Sequence, residues 1–190
     1  MDNQYQKQVV FSQNDTIVDF SNDRNDYVNV RTSLLSVDIF KKYVINVYCL
    51  GKGDEMWLGL IEQSAYKPRV SARTHQRGLF YYGGREYNIK RYGGTPTDEC
   101  HGWGSVSDDC NHGAIQGKNK VIKHPIQSYS EGDWISFHID FESKQVSFYK
   151  NGILQYTATE EWFPFGECYF MVELDDGVDQ FFIEQACSTF

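Results

Sequence analysis

The chain has 190 residues, of which 16% are aromatic, and a formal net charge of −8 at pH 7. A surface with this excess of carboxylates repels phosphate groups, so we expect neither nucleic acid nor an anionic membrane as a partner. No apolar run reaches the roughly 20 residues that span a bilayer, and the N-terminal segment lacks the apolar core of a signal peptide. We therefore expect a cytoplasmic protein without membrane insertion.

The first ordered elements are two strands. Residues 43–50 have a period of two, with Tyr43, Ile45, Val47 and Cys49 on one face and Val44, Asn46 and Tyr48 on the other, which predicts a strand. Residues 56–61 are almost wholly apolar, and this predicts a strand buried on both faces. Because residues 51–55 are turn-rich, the two strands are predicted to pair as a hairpin. Residues 32–42 are predicted to hold no more than one short helical turn.

The central segment, residues 93–120, is rich in Gly, Asp, Asn, Ser and Thr, which predicts long loops. Loops of this length are uncommon in a compact domain and are more often functional than connective. Aromatic and Arg side chains, which dominate the energy of many interfaces, occur in or beside them. They are Tyr81, Tyr82, Arg85, Tyr87, Arg91, Tyr92 and Trp103.

The C-terminal third has the clearest strand pattern. Residues 133–141 place Ile135, Phe137, Ile139 and Phe141 on one face. A turn then leads into residues 145–150, and Asn151-Gly152 is the pair best suited to a two-residue type I′ hairpin, followed by a third strand at 153–157. By the same logic, residues 169–174 and 178–183 are predicted to form a further hairpin. The whole pattern predicts an all-β fold, a two-sheet antiparallel β-sandwich of jelly-roll type with little helix.

Several residue clusters have types that suit catalysis or metal binding. Cys100, His101, Cys110 and His112 combine thiolate and imidazole, but their spacing is poor for a tetrahedral zinc site, and free loop thiols are the preferred interpretation. The acidic run Glu173, Asp175, Asp176 and Asp179 is interpreted as a solvated turn. No glycosidase carboxylate pattern and no nucleophile elbow are present. We therefore expect no enzyme activity, no cofactor and no metal.

Two adjacent motifs resemble the signature of the SPRY family: residues 132–140, in which a Gly-Asp pair opens a strand that ends in Asp, and residues 146–152, which read Val-Ser-Phe-Tyr-Lys-Asn-Gly. Residues 56–60, 78–82, 102–104 and 169–172 resemble further pieces of the family in the same order. The resemblance covers 43–183, and residues 1–42 correspond to a variable N-terminal portion that closes the sandwich. One domain over 1–190 is predicted.

The resemblance implies a concanavalin-like β-sandwich that recruits another protein or peptide through loops at one edge, without catalysis. Transferred position by position, the family's ligand face falls on Gln63, Tyr66, Leu79, Tyr81, Asp175, Asp176 and Gly177. Loop composition adds Arg85, Tyr87 and Trp103 to these partner-binding candidates. A lectin-like carbohydrate binder and a structural subunit of a larger assembly remain alternatives. Asp133 and Asp140 of the signature are interpreted as acceptors of local backbone hydrogen bonds.

Overall fold

The computed structural model describes residues 17–19, 28–51, 56–67, 70–83, 112–174 and 180–188. These residues form twelve strands: β1 (Ile17–Asp19), β2 (Val28–Leu35), β3 (Lys42–Gly51), β4 (Met56–Glu62), β5 (Gly78–Tyr82), β6 (Gly113–Gly117), β7 (Lys120–Ile126), β8 (Trp134–Asp140), β9 (Gln145–Lys150), β10 (Ile153–Thr159), β11 (Cys168–Leu174) and β12 (Gln180–Ser188). Short 3-10 turns occupy Gln63–Ala65 and Ala72–Thr74. No helix in these ranges is long and apolar enough to cross a membrane.

The strands form two antiparallel sheets that pack face to face. The seven-stranded sheet has the order β1-β2-β11-β4-β5-β6-β7, and the five-stranded sheet has the order β10-β9-β8-β3-β12. Phe137, for example, contacts Phe148 within its own sheet and Phe170 of the opposite sheet, with ring centroids 5.2 and 4.9 Å apart. The predicted all-β sandwich is confirmed.

β3 and β8 each have one apolar face, and that face packs into the core between the two sheets. Tyr43, Ile45, Val47 and Cys49 of β3 are buried, as are Ile135, Phe137 and Ile139 of β8, whereas the residues between them are partly or fully exposed. β4 is instead buried from Met56 to Ile61 because it lies between β11 and β5 and has apolar clusters on both faces. The prediction that residues 56–61 form a strand buried on both faces is confirmed.

Two predicted hairpins are wrong. β3 pairs with β8 and β12 in the five-stranded sheet, whereas β4 pairs with β11 and β5 in the other sheet. Likewise β11 pairs with β2 and β4, and β12 pairs with β3, so the chain does not end in a simple meander. A turn-rich connection fits a crossing between two sheets as well as a tight reversal, because only long-range packing selects the partner strand.

The loop prediction for residues 93–120 is also wrong in part. Residues 113–117 form β6, in which Ala114, Ile115 and Gln116 are fully buried. A Cβ at Gly113 would collide with the Gln127 carbonyl, so close approach of the backbone requires glycine there. The small residues that predicted a loop therefore belong to a tightly packed strand. Residues 93–111 lie outside the described ranges.

The local turn predictions hold. Asn151 and Gly152 have φ angles of 49° and 79°, the two positive values that a type I′ reversal between β9 and β10 requires. After β2, the amides of Ile39 and Phe40 donate to the Ser36 carbonyl and close a single turn, as predicted for residues 32–42. β2 itself pairs with β11, so part of the N-terminal portion is integral to the sheet.

Candidate functional site

The outer face of the seven-stranded sheet carries a second apolar cluster, separate from the core between the sheets. Trp57, Ile61, Phe80, Tyr82 and Met171 are buried there, together with Ala72 and Ala114. The Trp57 ring lies 4.6 Å from that of Tyr82 and 6.5 Å from that of Phe80. Tyr82, proposed from the sequence as a loop aromatic, is therefore part of a packed cluster with no exposed surface.

The segment 70–77 covers part of this face and is held there by polar anchors. The Asn29 amide donates to the Val70 carbonyl at 3.2 Å, and the Glu173 carboxylate accepts from the Ser71 hydroxyl at 2.9 Å and from the Ala72 amide. Glu173 is 1% exposed, so the prediction that it belongs to a solvated turn is wrong. Burial lowers the pKa of His75, whose ring nitrogen lies 3.2 Å from the Val70 carbonyl oxygen.

Beside this segment, side chains from three elements form a partly exposed group that we call the Tyr66 surface: Arg31 of β2, Gln63 and Tyr66 after β4, and Tyr169 of β11. The Arg31 guanidinium lies 4.3 Å from the Tyr169 ring centroid and 5.1 Å from that of Tyr66. The two Tyr rings meet edge to face at 5.5 Å. This stacking fixes the three side chains relative to one another.

The backbone around the Tyr66 surface is also fixed. The Gln63 amide donates to the Glu167 carbonyl at 2.9 Å, and the Tyr66 amide donates to the Glu62 carbonyl at 3.1 Å. The Glu62 carboxylate pairs with Arg77 and accepts from the Ser64 hydroxyl. Residues 63–66 thus extend from the end of β4 as an ordered turn that presents Gln63 and Tyr66.

The predicted contacts by Leu79 and Tyr81 are corrected by the structure. Both side chains are fully buried in the core between the sheets, so neither can reach a partner. β5 alternates between two buried faces, and Leu79 and Tyr81 point inward while Phe80 and Tyr82 lie on the outer cluster. The Tyr81 hydroxyl donates to the Gln127 carbonyl, and burial, followed by the charge of Asp133, raises the pKa of that hydroxyl above its usual value.

The remaining predicted contact residues lie outside the described ranges and stay predictions: Arg85, Tyr87, Trp103, Asp175, Asp176 and Gly177. The described ranges also leave out Arg91, Tyr92, Cys100, His101, Cys110 and Asp179. His112 is described, but Cys100, His101 and Cys110 are not, so the interpretation of this cluster as free loop thiols and not as a zinc site stays a prediction. Within the described ranges no three His, Cys, Asp or Glu side chains converge as metal ligands. Cys49 and Cys168 are both buried.

Strand register places Gln63 and Tyr66 near one end of the seven-stranded sheet and Leu174 and Tyr82 at the other. Cys168 at the start of β11 pairs with Glu62, next to Gln63, whereas Leu174 pairs with Met56 at the other end of β4. Six residue steps along a strand correspond to about 20 Å. Tyr82, the last residue of β5, pairs with Trp57 at that same far end. Leu174 and Tyr82 therefore lie at the end of the sheet opposite to Gln63 and Tyr66.

The two Asp residues of the SPRY-like signature act as turn acceptors, which confirms their interpretation. Asp140 accepts from the amides of Glu142 and Ser143 at 3.0 Å. Asp133 accepts from the Ser130 amide at 2.8 Å and the Asn151 side chain at 2.7 Å, and pairs with Lys150 at 2.9 Å. Partial burial acts to raise the pKa of Asp133, but these bonds and the Lys150 charge together hold it below its usual value.

Sequence reasoning missed Arg31 and Tyr169 as members of the site. Residues 28–32 read Val-Asn-Val-Arg-Thr, in which Val30 and Thr32 are buried, and this period-two pattern would have predicted β2 with Arg31 on its other face. Nothing in the sequence, however, indicates that β2 pairs with β11 in a register that brings Arg31 against Tyr169 and Tyr66.

Comparisons with known proteins identify the fold. No family model matches the chain, and no curated protein matches it. Among solved structures, a human SPRY domain is 15% identical with a TM-score of 0.58, and the alignment covers 92% of each chain. The SPRY domain of human HERC1 is 14% identical with a TM-score of 0.55, covering 93% of this chain and 90% of that one.

A plant lectin shares the architecture less closely. Lectin II from Ulex europaeus is 11% identical with a TM-score of 0.50, and the alignment covers 94% of this chain and 96% of the lectin. The likeness at these identities concerns the fold. Together with the two packed sheets, it shows that this chain has the fold of a SPRY domain, a two-sheet antiparallel β-sandwich.

Proposed function

We propose that the chain is a non-catalytic protein-interaction module that binds a peptide or a protein surface through the Tyr66 surface. The observation that carries the proposal is the stacked group of Arg31, Tyr66 and Tyr169, partly exposed beside Gln63 at a position where the SPRY resemblance places ligand contacts. Tyr and Arg are the residue types most enriched at binding hot spots. The SPRY fold supports the same class of function by analogy.

The geometry of the Tyr66 surface favours binding because its side chains lose little conformational freedom on association. Arg31 already lies against both Tyr rings, so its long side chain has few rotamers left to lose. A partner that covers the rings would remove their remaining apolar surface from water.

Affinity purification from cell extract with mass spectrometry, repeated with variants, tests this proposal. Tyr66→Ala should remove the partner, and Arg31→Lys should weaken its capture because an ammonium keeps the charge but loses the planar stack. Val37→Ala, on the exposed turn after β2, is the matched control and should retain the partner. Circular dichroism of each variant confirms that the sandwich is intact.

Other outcomes would contradict the proposal in defined ways. Loss of the partner with Asp175→Ala and not with Tyr66→Ala would assign binding to Asp175 and not to the Tyr66 surface. Hits on a glycan array that Tyr66→Ala abolishes would favour the lectin-like alternative. Co-fractionation in a large assembly without any peptide affinity would favour a structural subunit.

A further inference from the structure

The outer face of the five-stranded sheet carries an exposed apolar group far from the Tyr66 surface. Of the six most exposed large apolar side chains in the described residues, Leu50, Trp134 and Leu154 belong to it, at 39%, 40% and 53% exposure. Partly exposed Tyr48, Tyr149 and Phe182 lie among them. We call these six residues the Trp134 face. Contiguous exposed apolar groups of this kind usually mark a binding surface.

Strand register places these side chains side by side. Tyr48 of β3 is directly opposite Trp134 of β8 on one side and Phe182 of β12 on the other. The Tyr48 and Trp134 rings are 4.9 Å apart. In the next row Tyr149 of β9 is opposite Leu154 of β10. All point away from the core because their neighbours in sequence, such as Val47, Ile135 and Phe148, are buried.

The charges around the Trp134 face are acidic. Glu184 lies on the same face of β12, two residues from Phe182, and Glu131 lies in the turn just before β8; both are exposed. Among the described residues neither forms an ion pair with a cation. The lysines of this sheet are neutralised elsewhere, since Lys42 pairs with Asp140 at 3.1 Å and Lys150 pairs with Asp133.

His138 adds no positive charge to this face at neutral pH. Its ring lies 4.5 Å from that of Tyr149, and partial burial lowers the pKa of His138 below its usual value. The face therefore combines exposed aromatic rings with carboxylates and lacks a free cation of its own among the described residues. Aromatic rings attract cations over their faces, and nearby carboxylates reinforce the attraction.

We propose that the Trp134 face is a second interface, which binds a protein segment that carries Arg or Lys side chains between apolar ones. The apolar side chains of such a segment would pack on Leu50, Leu154 and Phe182. Its cations would lie over Trp134 and Tyr48 and pair with Glu131 or Glu184. This interface is independent of whichever partner the Tyr66 surface binds.

Other occupants fit these observations less well. A second copy of the chain would bring like carboxylates together, on a protein whose net charge is already −8. Nucleic acid is repelled for the same reason. A sugar requires directed polar groups, but the Asn46 amide already donates to Glu184 at 3.4 Å, and the Asn151 amide donates to Asp133.

The test uses two synthetic peptides of equal length, one alternating Arg and Leu and the other alternating Glu and Leu, titrated into the whole chain by calorimetry. The Arg-Leu peptide should bind and the Glu-Leu peptide should not. Trp134→Ala and, as a second exposed variant, Leu154→Ser should each weaken binding about tenfold. Glu184→Lys should weaken it several-fold at low salt and have little effect at high salt. Tyr66→Ala is the matched control and should bind normally.

Any of the following results would overturn the proposal: equal binding of the Glu-Leu peptide, unchanged affinity in Trp134→Ala and Leu154→Ser, a sedimenting dimer that Trp134→Ala dissociates, or glycan binding that Trp134→Ala abolishes. Loss of the Arg-Leu peptide in Tyr66→Ala alone would assign that binding to the Tyr66 surface. It would overturn the second interface while leaving the proposed function intact.

Discussion

The Asp133 network should be the most important polar contributor to stability near the β8–β9–β10 meander. The Asp133 carboxylate accepts three hydrogen bonds, from the Ser130 backbone amide, the Asn151 side-chain amide and the Lys150 ammonium. Its side chain is only 14% exposed. Hydrogen bonds to charged groups contribute about 1.5–3 kcal/mol each but are not additive within one network. We expect Asp133→Ala to lower the free energy of unfolding by about 3 kcal/mol.

Asp140→Ala is a matched control for this change. Asp140 lies at the other end of β8 and, like Asp133, accepts hydrogen bonds from the amides of a turn. Its ion pair with Lys42, however, is largely exposed. We expect a cost of about 1 kcal/mol, since exposed pairs contribute little and one turn cap is lost. The measurement is urea denaturation followed by circular dichroism, with unchanged slopes showing that only stability differs.

The pH dependence gives a second readout of the same network. Because the pKa of Asp133 is lower in the folded chain than in the unfolded one, its contribution is complete above the unfolded pKa of about 4 and is lost as pH falls through the lower folded value. Asp133→Asn should therefore flatten the acid end of the stability curve. A cost for Asp133→Ala below about 1 kcal/mol, or equal to that of Asp140→Ala, would refute the reasoning.

Three further changes test other parts of the structure. Tyr81→Phe should cost about 1 kcal/mol through loss of the hydrogen bond to Gln127 and leave partner capture unchanged, whereas a loss of capture would contradict its assignment to the core. Gly152→Ala should cost about 1 kcal/mol in thermal unfolding because its φ is 79°, while Gly166→Ala, where a Cβ meets open space, should be neutral. His75→Phe should reduce the loss of stability between pH 7 and about 5, since burial lowers the pKa of His75 and the unfolded chain takes up its proton first; an unchanged pH curve would show that His75 is not responsible.

The sequence by itself determined the local structure of this protein. Alternation in 43–50 and 133–141 predicted that these residues form strands and which of their side chains share a face, because the side chains of a strand alternate between its two faces. The Asn151-Gly152 reversal was predictable because few residue pairs accept two positive φ angles. Asp133 and Asp140 were predictable as turn acceptors because a carboxylate can bond to nearby amides without tertiary contacts.

Only the tertiary structure decided which strands pair and which residues meet at a site. Residues 51–55 look like a hairpin turn, yet β3 and β4 lie in different sheets, since hydrophobic burial between the sheets outweighs the preference for neighbouring strands. The family resemblance predicted Leu79 and Tyr81 as partner contacts, but both side chains point into the core. Arg31 reaches Tyr66 and Tyr169 through the pairing of β2 with β11, a contact more than a hundred residues apart in sequence that no local pattern encodes.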